Sequence, residues 1–429
     1  MFFVTFFILS NFSVILCAYI PNENLREKYE LNPAVKKLQE YVQIDTSGSK
    51  NLDLSTDFWR RQADELGLDF AVYRPRGLPI CVMTLKGNRP ELPSIMLNSH
   101  ADVVVADEEV WTYPPFSGHL DENGNLYGRG TQDTKDIGIQ YIEAIRKLLR
   151  NNVTLDRTIH VTVMPDEETG GFMGMTPFVE TQDFKSLNIG FALDEGYPSN
   201  DDVMFVSYQD KRPWQAMFMV RGNGGHGSIA TNGNVMEGVQ KLINNIMEFR
   251  KEQNEIKSKK DAIDFGAYTS VNINMIEGGV APNVVPTEVA LVMDMRLSVS
   301  ADVNNTQNMI DSWLNELGYN STMKYIRRVE YSPATAVDDS NPYWIAMQET
   351  MNELGVALQE IVSSPASDMI MIRSKGIPAF GFTTKTNTKI RAHNIDEYIN
   401  LNTFLEGIDV YVALLKKICN LPEFSKQEI

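Results

Sequence analysis

An apolar run, TIHVTVM, breaks at Pro165 into three consecutive acids, Asp166, Glu167 and Glu168, and then into Gly170-Gly171. The run reads as a buried strand and the glycines as a turn. Carboxylates at such a junction lose part of their hydration, which is costly unless something positive waits for them. The pattern recurs: IMLNS runs into His100 and Asp102, and IGFALD ends on Asp194 and Glu195. LDFAVY and LPICVMTL read as further strands. Amphipathic helices are predicted from Ser55 to Leu66 and from Asp136 to Arg150, the second basic at its end as a helix C-terminus prefers. Strands alternating with helices predict an α/β architecture whose mostly parallel sheet is covered on both faces.

Past Tyr208 the rhythm changes. WQAMFMV, TSVNINMI and EVALVMDMRL read as strands, and VMEGVQKLINNIMEFR and NNTQNMIDSWLNEL as helices. This predicts an α+β insertion over residues 209–328, dividing one larger domain into parts at 19–208 and 329–429. A chain of 429 residues is long enough for one large and one smaller core. The second part contains a helix in YWIAMQETMNEL, a strand in PAFGF and a C-terminal helix from Asn402 to Lys417.

The first twenty residues, MFFVTFFILSNFSVILCAYI, carry no charge. They predict a signal peptide over 1–18, cleaved near Ala18, and a chain that is secreted or held in the secretory lumen. If it is retained, the same segment is long enough to anchor the chain in a bilayer. Sequons at Asn152, Asn304 and Asn320 fit that compartment. With Cys17 lost, Cys81 and Cys419 form either one disulfide or two buried thiols. A net charge of -17 argues against nucleic acid or an anionic membrane surface as partner.

Ligands of open α/β sheets sit beyond the carboxyl ends of the strands. The polar residues ending each predicted strand should therefore converge: His100, Asp102, Asp133 in GRGTQD, Glu167, Glu168, Asp194, Glu195 and, later, His393. Histidines and carboxylates gathered this way suit a divalent cation such as Zn²⁺, and two ions sharing a carboxylate would supply the missing positive charge. His160 reads as a satisfied core or surface residue and His119 as a turn residue. Gly222–Gly227 matches G-x-G-x-x-G, but SIATNG intervenes before the next helix, which removes a dinucleotide site. A metal-free pair of glycosidase carboxylates would leave His100 and His393 without roles.

NSHADVV, YGRGTQDTK, PDEETGG, FALDEG and AHNIDE, in this order, resemble the M20 family of co-catalytic zinc hydrolases, from about Pro33 to Leu415. The resemblance implies a dizinc-hydrolase catalytic domain with an inserted lid or dimerisation domain at 209–328. It implies that His100 and Glu195 bind one zinc, that Glu168 and His393 bind the other, and that Asp133 bridges them. Asp194 stands next to Glu195, and spacing alone does not separate the two. Asp102 would orient His100, and Glu167 would be the general base. His226 would reach a neighbouring subunit's site, and Asn283 and Arg373 would hold substrate. The plainer readings are turn residues for His226 and Asn283 and a surface salt bridge for Arg373. The resemblance further implies a homodimer that hydrolyses N-acyl-L-amino acids, with a dipeptidase as the alternative. Relatives commonly have threonine at Ala101, methionine at Thr134 and a second histidine beside His393, so these departures bear on acyl preference and rate.

Overall fold

The computed structural model describes residues 25–230 and 232–424. The expected signal peptide over 1–18, its possible role as an anchor, and Cys17 lie outside the described residues. Among the described residues no helix is long and apolar enough to cross a membrane.

Strands of four residues or more are numbered here in chain order. The first six are β1 (Asp69–Tyr73), β2 (Ile80–Leu85), β3 (Ser94–His100), β4 (Ile159–Met164), β5 (Ile189–Asp194) and β6 (Val203–Asp210). They are followed by β7 (Arg212–Arg221), β8 (Ser270–Gly278), β9 (Glu288–Leu297), β10 (Thr322–Arg328), β11 (Ala357–Ser363) and β12 (Ala379–Phe382). Eight of them form one sheet in the order β1-β2-β4-β3-β5-β12-β6-β11. Its centre is parallel: β3 pairs in parallel with β4 and β5, and β5 with β12. The β1–β2 hairpin is antiparallel.

Every residue of β3 and β4 is buried, as expected of strands covered on both faces. Alternate side chains divide between two cores. Ile95, Leu97, Val161 and Val163 pack under the helices Lys135–Arg150 and Leu401–Ile418. Met96, Met164 and Ala192 pack on the other face with Phe178, Phe184 and Met369.

β8, β9, β7 and β10 form a second, wholly antiparallel sheet in that order. Largely alternating burial along β7 marks a sheet covered on one face only, here by the helices Val235–Lys257 and Val303–Leu317. Trp214, Phe218, Leu242, Leu291 and Trp313 belong to a core of their own. Lys211 alone separates β6 in the first sheet from β7 in the second.

Three strands escaped the sequence patterns. TMKYIRR and ALQEIVS carry charges and lie at sheet edges, and VMFVSYQD was passed over where the rhythm changed. Cys81 and Cys419 are separate buried thiols. Asn152 and Asn320 are exposed at left-handed backbone positions, whereas Asn304 lies exposed in the first turn of a helix rather than in a turn.

His160 is a core residue. Its Nδ1 lies 2.8 Å from the Thr84 hydroxyl and its Nε2 3.1 Å from the Leu187 carbonyl, and burial pushes its pKa down to about 4. The unfolded chain takes up this proton near pH 6.5, so stability is complete above that pH and declines as pH falls towards 4. Across that window His160 is expected to account for about 2–3 kcal/mol of lost stability. Denaturant unfolding of His160→Gln should show a flatter pH dependence between 4 and 6.5; an unchanged slope would refute the assignment.

Candidate metal centre

The strand ends bring the expected residues together. His100 closes β3, and its Nδ1 lies 2.8 Å from the carbonyl of Asp102. With a proton on Nδ1, this bond leaves Nε2 as the available donor atom. Nε2 lies 3.2 Å from Asp133 Oδ1 and 3.7 Å from Glu195 Oε2. On the other side of Asp133, Oδ2 lies 2.9 Å from His393 Nε2, which is also 2.9 Å from Glu168 Oε2. Asp133 therefore turns one oxygen to each histidine. Two donors about 2.1 Å from one tetrahedral ion stand about 3.4 Å apart, so these separations suit a shared cation. The two groups, His100–Asp133–Glu195 and Asp133–Glu168–His393, are metal-compatible clusters of His and carboxylate donors.

Electrostatics point the same way. Hydrogen bonds to Asp133 and Glu168 raise His393 to about 10, so its ring behaves as a cation between two acids. Burial pushes Glu195 up to about 8. Burial, and then the charge of Glu195, holds Glu167 well above the carboxylate range. Burial works against ionised Asp133 too, but its hydrogen bonds with the two histidines win and hold it well below its usual value. Three carboxylates and two imidazoles offset most of the charge of two divalent cations, so the donor set fits such a pair.

Some expected roles shift. Asp102 holds His100 through its backbone carbonyl; its carboxylate accepts from the amides of Glu167 (3.1 Å) and Glu168 (3.2 Å). It thereby fixes the short turn Glu167–Thr169 that follows β4. Glu168 is further pinned by the Val104 amide at 3.2 Å. Asp194 faces away from the cluster, its Oδ1 taken by Asn98 Nδ2 (3.1 Å) and the Glu195 amide (2.8 Å), so Glu195 is the one that meets His100.

Arg373 is the clearest correction. Its guanidinium is buried and bound to Asp210 at 2.6 Å, the Ala379 carbonyl at 2.9 Å and the Ser207 carbonyl at 3.2 Å. It neutralises an acid buried where β6 ends and offers nothing to a substrate. His226 and Asn283 meet at a two-stranded ribbon, where the Gly227 amide bonds the Asn283 carbonyl. Both are exposed, and neither is among the described residues that line the cleft over the metal cluster.

That cleft, about 340 Å³, is lined by Glu167, Glu168, Glu195 and His393 from the large sheet's loops and by Arg296 and Arg327 from the small sheet. Arg296 is paired with Asp294. Arg327 makes no side-chain hydrogen bond or ion pair among the described residues; burial lowers its pKa while the charge of Glu167 opposes that. Gly170 lies against it: a Cβ there would stand 3.1 Å from the guanidinium carbon, and the backbone φ is +106°. Sequence reasoning missed Arg327 because TMKYIRR was not recognised as a strand. Strand alternation alone would have put it on the core side with Met323 and Tyr325; a β-bulge between Tyr325 and Arg327 shifts the register, so Arg328 lies over Trp214 at 4.3 Å and Arg327 is left on the opposite face.

Residues 96–417 match the sequence model described as peptidase family M20/M25/M40. Aminoacylase-1 of Sus scrofa is 36% identical over 393 residues, covering 91% of this chain and 96% of its own length. Among solved structures, an M20 family metallo-carboxypeptidase from Sulfolobus solfataricus superposes with a TM-score of 0.76 at 18% identity, covering 91% of this chain and all of its own. A dinuclear metal-binding M20 peptidase from Bacillus subtilis gives 0.62 at 14% identity, covering 92% of this chain and 98% of its own.

His393 is half exposed, so its removal should leave the fold intact. Metal analysis after dialysis is expected to find two divalent ions per wild-type chain and one per His393→Ala chain. Equal contents would show that His393 is no ligand.

Proposed function

The chain belongs to peptidase family M20/M25/M40 and is a hydrolase, and from that premise we propose that it cleaves the amide bond of N-acyl-L-amino acids. The products are a carboxylate and a free L-amino acid. The observation that carries this reading is the similarity to aminoacylase-1 along nearly the whole chain, coinciding with a cleft lined by acids and by a guanidinium that has no ion-pair partner among the described residues.

His100, Asp133 and Glu195 would hold one Zn²⁺, and Asp133, Glu168 and His393 the other. When bound, the pair supplies Lewis acidity to the acyl carbonyl and lowers the pKa of water. Glu167 takes a proton from the attacking water and passes it to the departing amide nitrogen. Its raised proton affinity suits that exchange, and the grip of Asp102 on its backbone amide sets where the side chain starts. Arg327 receives the free carboxylate of the acylated amino acid, the task first expected of Arg373. His226 and Asn283 act from a second copy of the chain, joined through residues 209–328, with His226 stabilising the oxyanion. The uncharged N-terminal segment sends the chain into the secretory pathway.

Hydrolysis of N-acetyl-L-methionine is expected, with loss of activity on chelation and in Glu167→Gln while metal content stays at wild type. Failure of the metal-loaded wild type to cleave it would turn attention to dipeptides. Arg327→Ala should raise KM about 10- to 100-fold, the worth of a charge-assisted hydrogen bond. An unchanged KM would remove it from the substrate. Mixed dimers of His226→Ala and Glu167→Ala should regain activity by pairing one intact His226 with one intact Glu167; none in a verified heterodimer excludes action between subunits.

A further inference from the structure

We infer that Glu397 is a positioning residue that locks the two halves of the metal centre into one unit, an inference resting on the metal assignment above. Asp133 and His393 come from segments far apart in sequence, yet each must meet the other to within hydrogen-bond distance. Glu397 lies four residues beyond His393 and is wholly buried. Its Oε1 accepts from the backbone amides of Gly130 (3.1 Å), Gln132 (2.7 Å) and Asp133 (3.2 Å), and its Oε2 accepts from Arg129 Nη1 (2.7 Å). Amides converging on one carboxylate form an anion-binding nest. Here the nest closes around an acid from the segment that carries His393.

Neighbouring contacts complete the clamp. The Glu397 carbonyl accepts from the Gly128 amide at 2.9 Å. The Gln132 side chain bonds the Lys389 and Tyr398 carbonyls and the Arg391 amide, bracketing His393 on both sides. Buried Lys385 reaches the Gln132 carbonyl at 2.7 Å. Gly130 sits at φ +91° with Val103 and Lys135 against it, so no side chain is tolerated at the turn that aims these amides at Glu397. Glu397 touches neither metal position. It acts by presenting the Asp133 carboxylate between the two histidines.

Two variants separate positioning from charge balance. Glu397→Asp keeps the charge opposite Arg129 but withdraws the oxygen from the amides by about one methylene. Glu397→Gln keeps an oxygen at full reach of the amides but gives up the ion pair. Titration of the full-length chain with Co²⁺, followed by its visible absorption, reads out binding without reference to turnover. Glu397→Asp is expected to lose affinity about 10- to 100-fold, the usual effect of removing a ligand's support. Glu397→Gln should stay within about threefold of wild type, even where its thermal stability falls. The reverse order, equal losses, or wild-type affinity in the aspartate variant would each overturn the inference. A wild-type chain that takes up no Co²⁺ would instead sink the metal assignment itself.

Discussion

The carboxylates of Asp133, Glu167, Glu168 and Glu195 share one cleft, and much of the surrounding structure exists to hold them there against their mutual repulsion. Parallel pairing of β3, β4 and β5 delivers three of the loops to a common edge, so the acids meet as a consequence of strand order. Three of these acids, and Asp194 beside the fourth, are held by groups outside the candidate ligand set. The carboxylate of Asp102 binds the turn of Glu167 and Glu168, Asn98 draws Asp194 aside, and Glu397 gathers the loop of Asp133. The histidines do the rest, because an imidazole flanked by two carboxylates carries charge readily. Such a cluster needs protons on its acids or positive charge at its centre, as the raised Glu167 and Glu195 show, and that requirement connects the fold to metal chemistry.

How far the sequence foretold this differs from residue to residue. His100, Glu168 and Glu195 were legible because each follows a strongly apolar strand, and the strand's direction dictates where its end must lie. Asp133 and His393 sit in loops with no such pointer; they were gathered with the other donors as candidates, and only the resemblance gave them their roles. Arg373 misled because an arginine beside an apolar strand looks the same in sequence whether it meets substrate or a buried acid, and its partner Asp210 lies far off in the chain. Arg327 stayed hidden for two reasons: charges along an edge strand mask the strand itself, and a β-bulge after Tyr325 reverses the alternation that would otherwise turn Arg327 to the core. Glu397, though it closes the AHNIDE motif, was given no role, because apart from Arg129 its carboxylate meets backbone amides, and a sequence says nothing of where those point.

The two sheets divide the labour. The large one is covered on both faces and holds the acids; the small one is covered on a single face and leaves its other side free for the cleft. Arg296 and Arg327 come from that free side, so opposite charges enter the cleft from separately packed bodies.

That separation has an evolutionary consequence. Residues on the cleft-facing side of the small sheet belong to no core, and the metal cluster's supports all come from the large sheet and its loops. Substitutions there can change one wall of the cleft without disturbing the candidate metal cluster beneath it. Descendants of such a chain are free to redraw that wall of the cleft while inheriting the acids opposite it unchanged.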